Sequence, residues 1–276
     1  MNNIILFATY WNEIEWIESS LEQMLKIDPV EIIICDGNFD PKIENRSTDG
    51  TYEVIKKFVD ENSERAKMIS AVRVKPLTKG LNFFLNAGYK CDLIKPSRFN
   101  YSLRSQLLIN EYRVNQALTF SSMMNLSEDW EEGRWVMSYD ADQFYTDELI
   151  DFFKITNTPS DYDLITADEW TFPYDFNHYT TGYENRKWNN MPHKIKPNMA
   201  VYPTRHFVTE SVFSFKHYYE NHKMLYGGVY HHYKFRKDAV RLSAGYELGD
   251  RKPPKKERYE NLLKFTGNHP LSVKVI

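Results

Sequence analysis

Cysteine is scarce in this chain. Cys35 and Cys91 are the only two among 276 residues, too few for a disulfide framework or a zinc cluster. Long hydrophobic runs are missing too, so the sequence offers no stretch of bilayer-spanning length. The first strand-like run begins at Ile4. That leaves no room for a signal peptide before it, and the expected compartment is the cytoplasm. Glycine numbers only 11, and no glycine-rich loop follows the first strand. This argues against a dinucleotide fingerprint or a P-loop, since both need glycine for backbone approach to phosphate.

What is present is the composition of a folded protein: 42% hydrophobic, 26% charged and 15% aromatic residues, with a mean hydropathy of -0.60. Such a chain can build a core, which argues against a disordered or purely scaffolding role. The net charge of -3 conceals a segregation. Residues 1–185 carry 17 Lys/Arg against 31 Asp/Glu, whereas residues 186–260 carry 16 against 7. A basic second half suggests contact with something anionic, and a solvated basic tail around Arg251–Lys256 is the plainer alternative.

The first 75 residues alternate between two periods. Ile4–Ala8 is a short buried-strand run, and Ile14, Ile17, Leu21 and Met24 then recur at helical spacing. Glu31–Cys35 reads as a second strand closed by the turn Asp36-Gly37-Asn38. Tyr52, Val54, Ile55 and Phe58 fit a helix, and Met68–Val74 a third strand. This β-α-β-α-β order predicts a parallel sheet with helices on both faces. Residues 76–100 read as a loop or hairpin insertion, and 102–124 as a helix. Trp135–Tyr139 and Leu164–Ala167 read as strands, with a helix over Asp147–Lys154 capped by Thr146. The second half is irregular, aromatic and basic. The expectation is one α/β domain over 1–276, with a ligand-binding half at 1–153, an elaborated half at 154–250 and a basic tail at 251–276.

Open α/β sheets bind ligands outside the carboxyl ends of their strands. In this sequence those ends carry Thr9, Tyr10, Asn12 and Glu13, then Asp36, then Asp140 and Asp142, then Asp168 and Glu169. Acids there suit hydrogen bonding to a nucleobase and ribose, or a divalent metal beside a phosphorylated ligand. A second Asp-x-Asp at Asp161-Tyr162-Asp163 precedes its strand, so it belongs to the opposite end of the sheet.

Several of these residues resemble the motifs of family 2 glycosyltransferases of the GT-A fold. Phe7-Ala8-Thr9-Tyr10-Trp11-Asn12-Glu13 resembles their opening P-T-Y-N-E. Asp36-Gly37-Asn38 with Ser47-Thr48-Asp49-Gly50-Thr51 resembles D-D-G-S-T-D-G-T, split here by Phe39–Arg46. Tyr139-Asp140-Ala141-Asp142 resembles the metal-binding D-A-D. Asn115-Gln116-Ala117-Leu118 resembles the helical A-R-N-x-A-L, with Val114 at the arginine position. The resemblance covers residues 4–153 in order. It implies a GT-A sheet in which Asp36 and Glu13 recognise the base and ribose of a nucleotide sugar, framed by Thr9 and Tyr10. It further implies that Asp140 approaches the ribose or metal and that Asp142 ligates Mn²⁺ or Mg²⁺ at the diphosphate. Gly227–Tyr233 resembles the segment bearing the family's late histidine, which makes His232, or else His231, a further ligand, with Lys234, Arg236 and Lys237 near phosphate. The family's order of Asp-x-Asp, base, His points to Glu210 as general base, with Asp168 and Glu169 as the other options.

The expected activity is thus metal-dependent, inverting transfer of a sugar from a nucleotide-diphospho-sugar, a UDP-sugar first, to an acceptor hydroxyl on a glycan or polysaccharide. Aromatic residues such as Trp170, Phe172, Tyr174, Phe176, Tyr179, Tyr183, Trp188 and Tyr202 could form a stacking platform for sugar or base, or a packed core. The basic second half keeps a modified base in DNA open as acceptor, as in phage-type DNA glycosylation. The competing readings are a sugar-1-phosphate nucleotidyltransferase, which needs the missing glycine-rich loop, and a non-catalytic carbohydrate- or nucleic-acid-binding protein on the same fold.

Overall fold

The computed structural model describes residues 3–73, 111–155, 162–180, 191–196, 199–202, 206–208, 223–233 and 262–273. Its first two strands, β1 (Ile4–Tyr10) and β2 (Glu31–Asp36), are buried almost throughout. A strand with both faces buried belongs inside a layered α/β sheet, and its partner runs parallel, from Ile5 opposite Glu31 to Tyr10 opposite Asp36. Parallel pairing needs a crossover. The helix α1 (Ile17–Ile27) supplies the first, and α2 (Thr51–Glu61) the second, leading into β3 (Ala66–Ser70). The expected β-α-β-α-β unit is present, but β3 starts before Met68 and stops before Val74. It is the end strand of the sheet and only partly buried, so its apolar pattern marks its limits weakly.

The chain continues through α3 (Glu111–Leu126), β4 (Trp135–Tyr139), β5 (Gln143–Tyr145), α4 (Asp147–Ile155) and β6 (Leu164–Phe172). Thr146 accepts from the Leu149 amide at 3.4 Å, as expected of a helix N-cap. After β7 (His178–Tyr179) and β8 (His193–Lys194) come a short hairpin, β9 (Ala200–Tyr202) with β10 (His206–Val208), then β11 (Met224–Tyr233) and β12 (Leu263–Lys264). One eight-stranded sheet runs β3-β2-β1-β4-β8-β6-β11-β5. All of its strands share one direction except β8 and β5. This is the mixed α/β, mostly parallel architecture that the sequence led us to expect.

Helices cover both faces. On one, Ile4, Leu6, Ala8 and Tyr10 of β1 pack with Ile17, Leu21 and Met24 of α1, Ile55 and Phe58 of α2, and Leu149 and Phe153 of α4. On the other, Ile5 and Phe7 meet Ala117, Leu118, Phe120 and Met124 of α3. Burying each of the Ile, Leu, Met or Phe side chains among them contributes about 1.5–3 kcal/mol. Gly227 lets α4 sit close on β11, because a Cβ there would lie 2.7 Å from the Leu149 side chain. Among the described residues no helix is long and apolar enough to cross a membrane.

Candidate functional site

Gly227–Tyr233 carries no local pattern that assigns it to an element. It is the carboxyl half of β11, which lies parallel beside β6 and antiparallel to β5. The turn Asp140-Ala141-Asp142 joins β4 to β5, so β5 carries it alongside the end of β11. The Tyr233 amide donates to the Asp142 carbonyl at 2.8 Å, and Gln143 pairs with His232. Backbone pairing therefore delivers His232 to the Asp-x-Asp, with its Nε2 3.5 Å from Asp142 Oδ2.

Strand alternation sorts the neighbours into two faces. Tyr230 and His232 share theirs with Glu169 and Thr171, which stand opposite them on β6. Glu169 is buried and accepts three hydrogen bonds: from His232 Nδ1 at 3.0 Å and Thr171 Oγ1 at 2.5 Å on Oε1, and from the Tyr230 hydroxyl at 2.9 Å on Oε2. Burial, followed by the adjacent Glu169 charge, pushes the Tyr230 phenol well above its ordinary range, which keeps it a donor. A carboxylate that accepts these three bonds is committed to holding its neighbours, which favours a positioning role over that of general base.

The opposite face holds two further candidates, His231 and Asp168. His231 is buried against Trp170, Phe172 and Phe265, with Nδ1 3.1 Å from the Tyr233 hydroxyl. Burial first, then His269, lowers its pKa to about 3. It is a packing residue turned away from Asp142. Asp168 likewise points from this face and accepts from the Tyr226 hydroxyl at 2.8 Å, away from the His232 cluster. Trp170, Phe172, Phe176 and Tyr179 pack on one another and on Tyr233, Phe265 and His269, so these four are core packing and not an open platform. Glu210, Lys234, Arg236, Lys237, Asp161, Tyr183 and Trp188 lie outside the described residues.

At the ends of β1 and β2 the motif residues are laced to one another. Asp36 is buried and accepts from Ser47 Oγ at 2.5 Å and from the Ser47 amide at 3.1 Å. Burial pushes its carboxyl above the usual range, while those two bonds work against the push. The Asn12 amide donates to Ser47 Oγ at 2.9 Å, the Thr48 amide to Asn12 Oδ1 at 2.9 Å, and the Glu13 amide to Thr51 Oγ1 at 2.8 Å. Asn12 adopts φ 50°, a left-handed turn that asparagine tolerates. Gly37 is required by space, since a Cβ would fall 2.5 Å from Asn45 Oδ1 and 2.7 Å from the Ala71 Cβ. Asn115 of α3 donates to the Phe39 carbonyl at 2.9 Å, tying that helix to the same loop. Thr9 is half-buried at the end of β1. The Tyr10 ring lies in the core and its hydroxyl meets Ser20 Oγ at 2.8 Å, so the side chain is turned away from the edge where a base would be framed.

Gln23 is the positioning residue that the sequence reading misses. It sits buried on α1 and brackets the Asp-x-Asp turn, accepting from the Tyr145 amide at 2.6 Å and donating to the Gln143 carbonyl at 3.1 Å and to the Tyr139 hydroxyl. Its one signal in the sequence is a polar side chain next to Met24 on the face of α1 that must be buried. Asp140 accepts from Gln143 Nε2 at 3.1 Å, so the turn also bonds to itself. Asp163 of the second Asp-x-Asp lies before β6 and pairs with Lys196 at 2.6 Å, at the amino end as expected.

Among the described residues no three His, Cys, Asp or Glu side chains form a metal cage of their own. The Asp142–His232 pair nevertheless fits a cation that takes its other ligands from a bound molecule. Metal–ligand bonds of about 2.0–2.2 Å place neighbouring ligands roughly 3.0–3.6 Å apart, and the observed 3.5 Å falls in that range. The carboxylate suits Mg²⁺ or Mn²⁺, and the imidazole is a common ligand of divalent transition metals.

No protein-family model matches this chain, and no curated protein matches it. Among solved structures it is similar to the crystal structure of S. aureus TarS, with 11% sequence identity and a TM-score of 0.42. The likeness covers 84% of this chain and 37% of that one.

Proposed function

We propose that this chain is a metal-dependent, inverting glycosyltransferase that moves a sugar from a nucleotide-diphospho-sugar, a UDP-sugar first, to an acceptor hydroxyl on a glycan. The observation that carries the reading is the Asp142–His232 pair, 3.5 Å apart at the carboxyl edge of the parallel strands. The motif resemblance over residues 4–153 supports it. Asp142 and His232 would hold Mn²⁺ or Mg²⁺, which as a Lewis acid stabilises charge on the departing nucleoside diphosphate. Asp140 would face the ribose or the metal. Asp36, oriented by Ser47, would meet the base, with Thr9 and Glu13 beside it. Glu210 is the base we assign, taking the proton from the acceptor hydroxyl as that oxygen attacks the anomeric carbon.

The test is a thermal-shift titration with UDP, with and without Mn²⁺, followed by a nucleotide-sugar hydrolysis panel. Stabilisation by UDP only when Mn²⁺ is present is the expected result, and indifference to both would overturn the reading. A duplex-DNA titration tests the acceptor. Binding that weakens on the order of a thousandfold between about 50 and 200 mM salt, as for some six phosphate contacts, would place basic residues on phosphate and send the question to product analysis, and no binding at low salt would eliminate DNA.

A further inference from the structure

The hydrogen bonds of Glu169 point to its role. We propose that Glu169 is a positioning residue: it holds His232 as the Nδ1–H tautomer, aims the Nε2 lone pair at the Asp142 carboxylate, and so sets the affinity of that pair for a divalent cation. The tautomer assignment stands on geometry alone, and the affinity rests on the metal-dependent reading above.

A carboxylate only accepts hydrogen bonds. Because Glu169 Oε1 lies 3.0 Å from Nδ1, a ring proton belongs on Nδ1, and Nε2 is the nitrogen turned to Asp142. Nε2 and Asp142 Oδ2 are 3.5 Å apart. An imidazole nitrogen and a carboxylate oxygen at that separation match two ligands of one cation, which on binding takes the place of any proton on Nε2. Glu169 is itself held, by Thr171 on one oxygen and Tyr230 on the other. These four side chains occupy one face of two adjacent strands, with Tyr230 opposite Glu169 and His232 opposite Thr171. A slip of one residue would turn His232 to the aromatic face and break the whole set. Partners that fix the tautomer of a metal-binding histidine are typically worth about 10–100-fold in metal affinity.

The experiment has a metal-free arm and a metal arm, both on the full chain. In the first, ¹⁵N shifts of His232, assigned by their loss in His232→Ala, are followed with rising pH until the ring is neutral, and the tautomer is read there. The expected result is the Nδ1–H tautomer in the parent and a mixture in Glu169→Ala. In the second, free Mn²⁺ is followed by electron paramagnetic resonance. Glu169→Ala should weaken binding about 10–100-fold. Glu169→Gln, whose side-chain carbonyl still accepts from Nδ1–H, should fall between the two. Melting curves check each fold, and if the alanine variant does not fold, the glutamine variant and the parent tautomer decide. An Nε2–H tautomer in the parent overturns the proposal, as does parental Mn²⁺ affinity in the folded Glu169 variants. A parent with the Nδ1–H tautomer that binds no Mn²⁺ overturns instead the metal-dependent reading, and with it the affinity claim, but leaves the tautomer assignment in place.

Discussion

The amide of Tyr233 donates to the carbonyl of Asp142 at 2.8 Å. This one backbone bond joins the turn after β4 to the end of β11, two segments far apart in the chain. It uses main-chain atoms, so this link between the two strands does not depend on the Asp142 carboxylate.

Asp142→Ala should therefore keep the fold and lose Mn²⁺-dependent stabilisation by UDP. Asp163→Ala is the contrast, because Asp163 pairs with Lys196 at the amino end of β6. Thermal shifts of both variants, with and without Mn²⁺ and UDP, make the comparison. Equal losses of UDP response would place the site at the wrong end of the sheet.

Gln23→Leu fills nearly the same space but removes the bracket around the Asp-x-Asp turn. It leaves the buried Tyr145 amide without the acceptor it has now. The expected cost is about 1–3 kcal/mol, read from urea unfolding. Mn²⁺ affinity should weaken as well, although Gln23 touches neither Asp142 nor His232 in the contacts described above.

Tyr10→Phe removes a buried hydroxyl bonded to Ser20. It should cost about 0.5–1.5 kcal/mol in stability and leave UDP affinity within a few-fold of the parent. A large loss of UDP affinity in a stable variant would return Tyr10 to the base-binding role it has in the sequence reading.

Glu31 gives a pH dependence far from the site. Burial opposes its ionisation, but the Ser127 hydroxyl, Lys67 and the Glu128 amide outweigh that and hold its carboxyl below the ordinary value of 4.5. A depressed carboxyl contributes stability that is fully present above the unfolded pKa and is lost as pH falls through the folded one. Urea midpoints of the parent and Glu31→Gln should differ most near neutrality and converge as pH drops below about 4.5. A difference that is constant across that range would show that the charge contributes nothing.

The strands of the first half are legible in the sequence because each is a short run buried on both faces. Ile4–Ala8, Glu31–Cys35 and Trp135–Tyr139 carry their own hydrophobic signal, and the parallel order of the sheet follows from the helices between them. The acids at their carboxyl ends are legible for the same reason, since topology places every such end along one edge. The tertiary structure alone decides which of those acids meet. Asp142 and His232 lie on segments whose pairing leaves no local pattern, and β5, which joins them, is only Gln143–Tyr145. The choice between His231 and His232 is of the same kind. Both occupy one strand, and the two-residue alternation together with the β6–β11 register sends one to Glu169 and the other into the aromatic core. Side-chain direction in a strand depends on register, and register is set by partners that the local sequence does not contain.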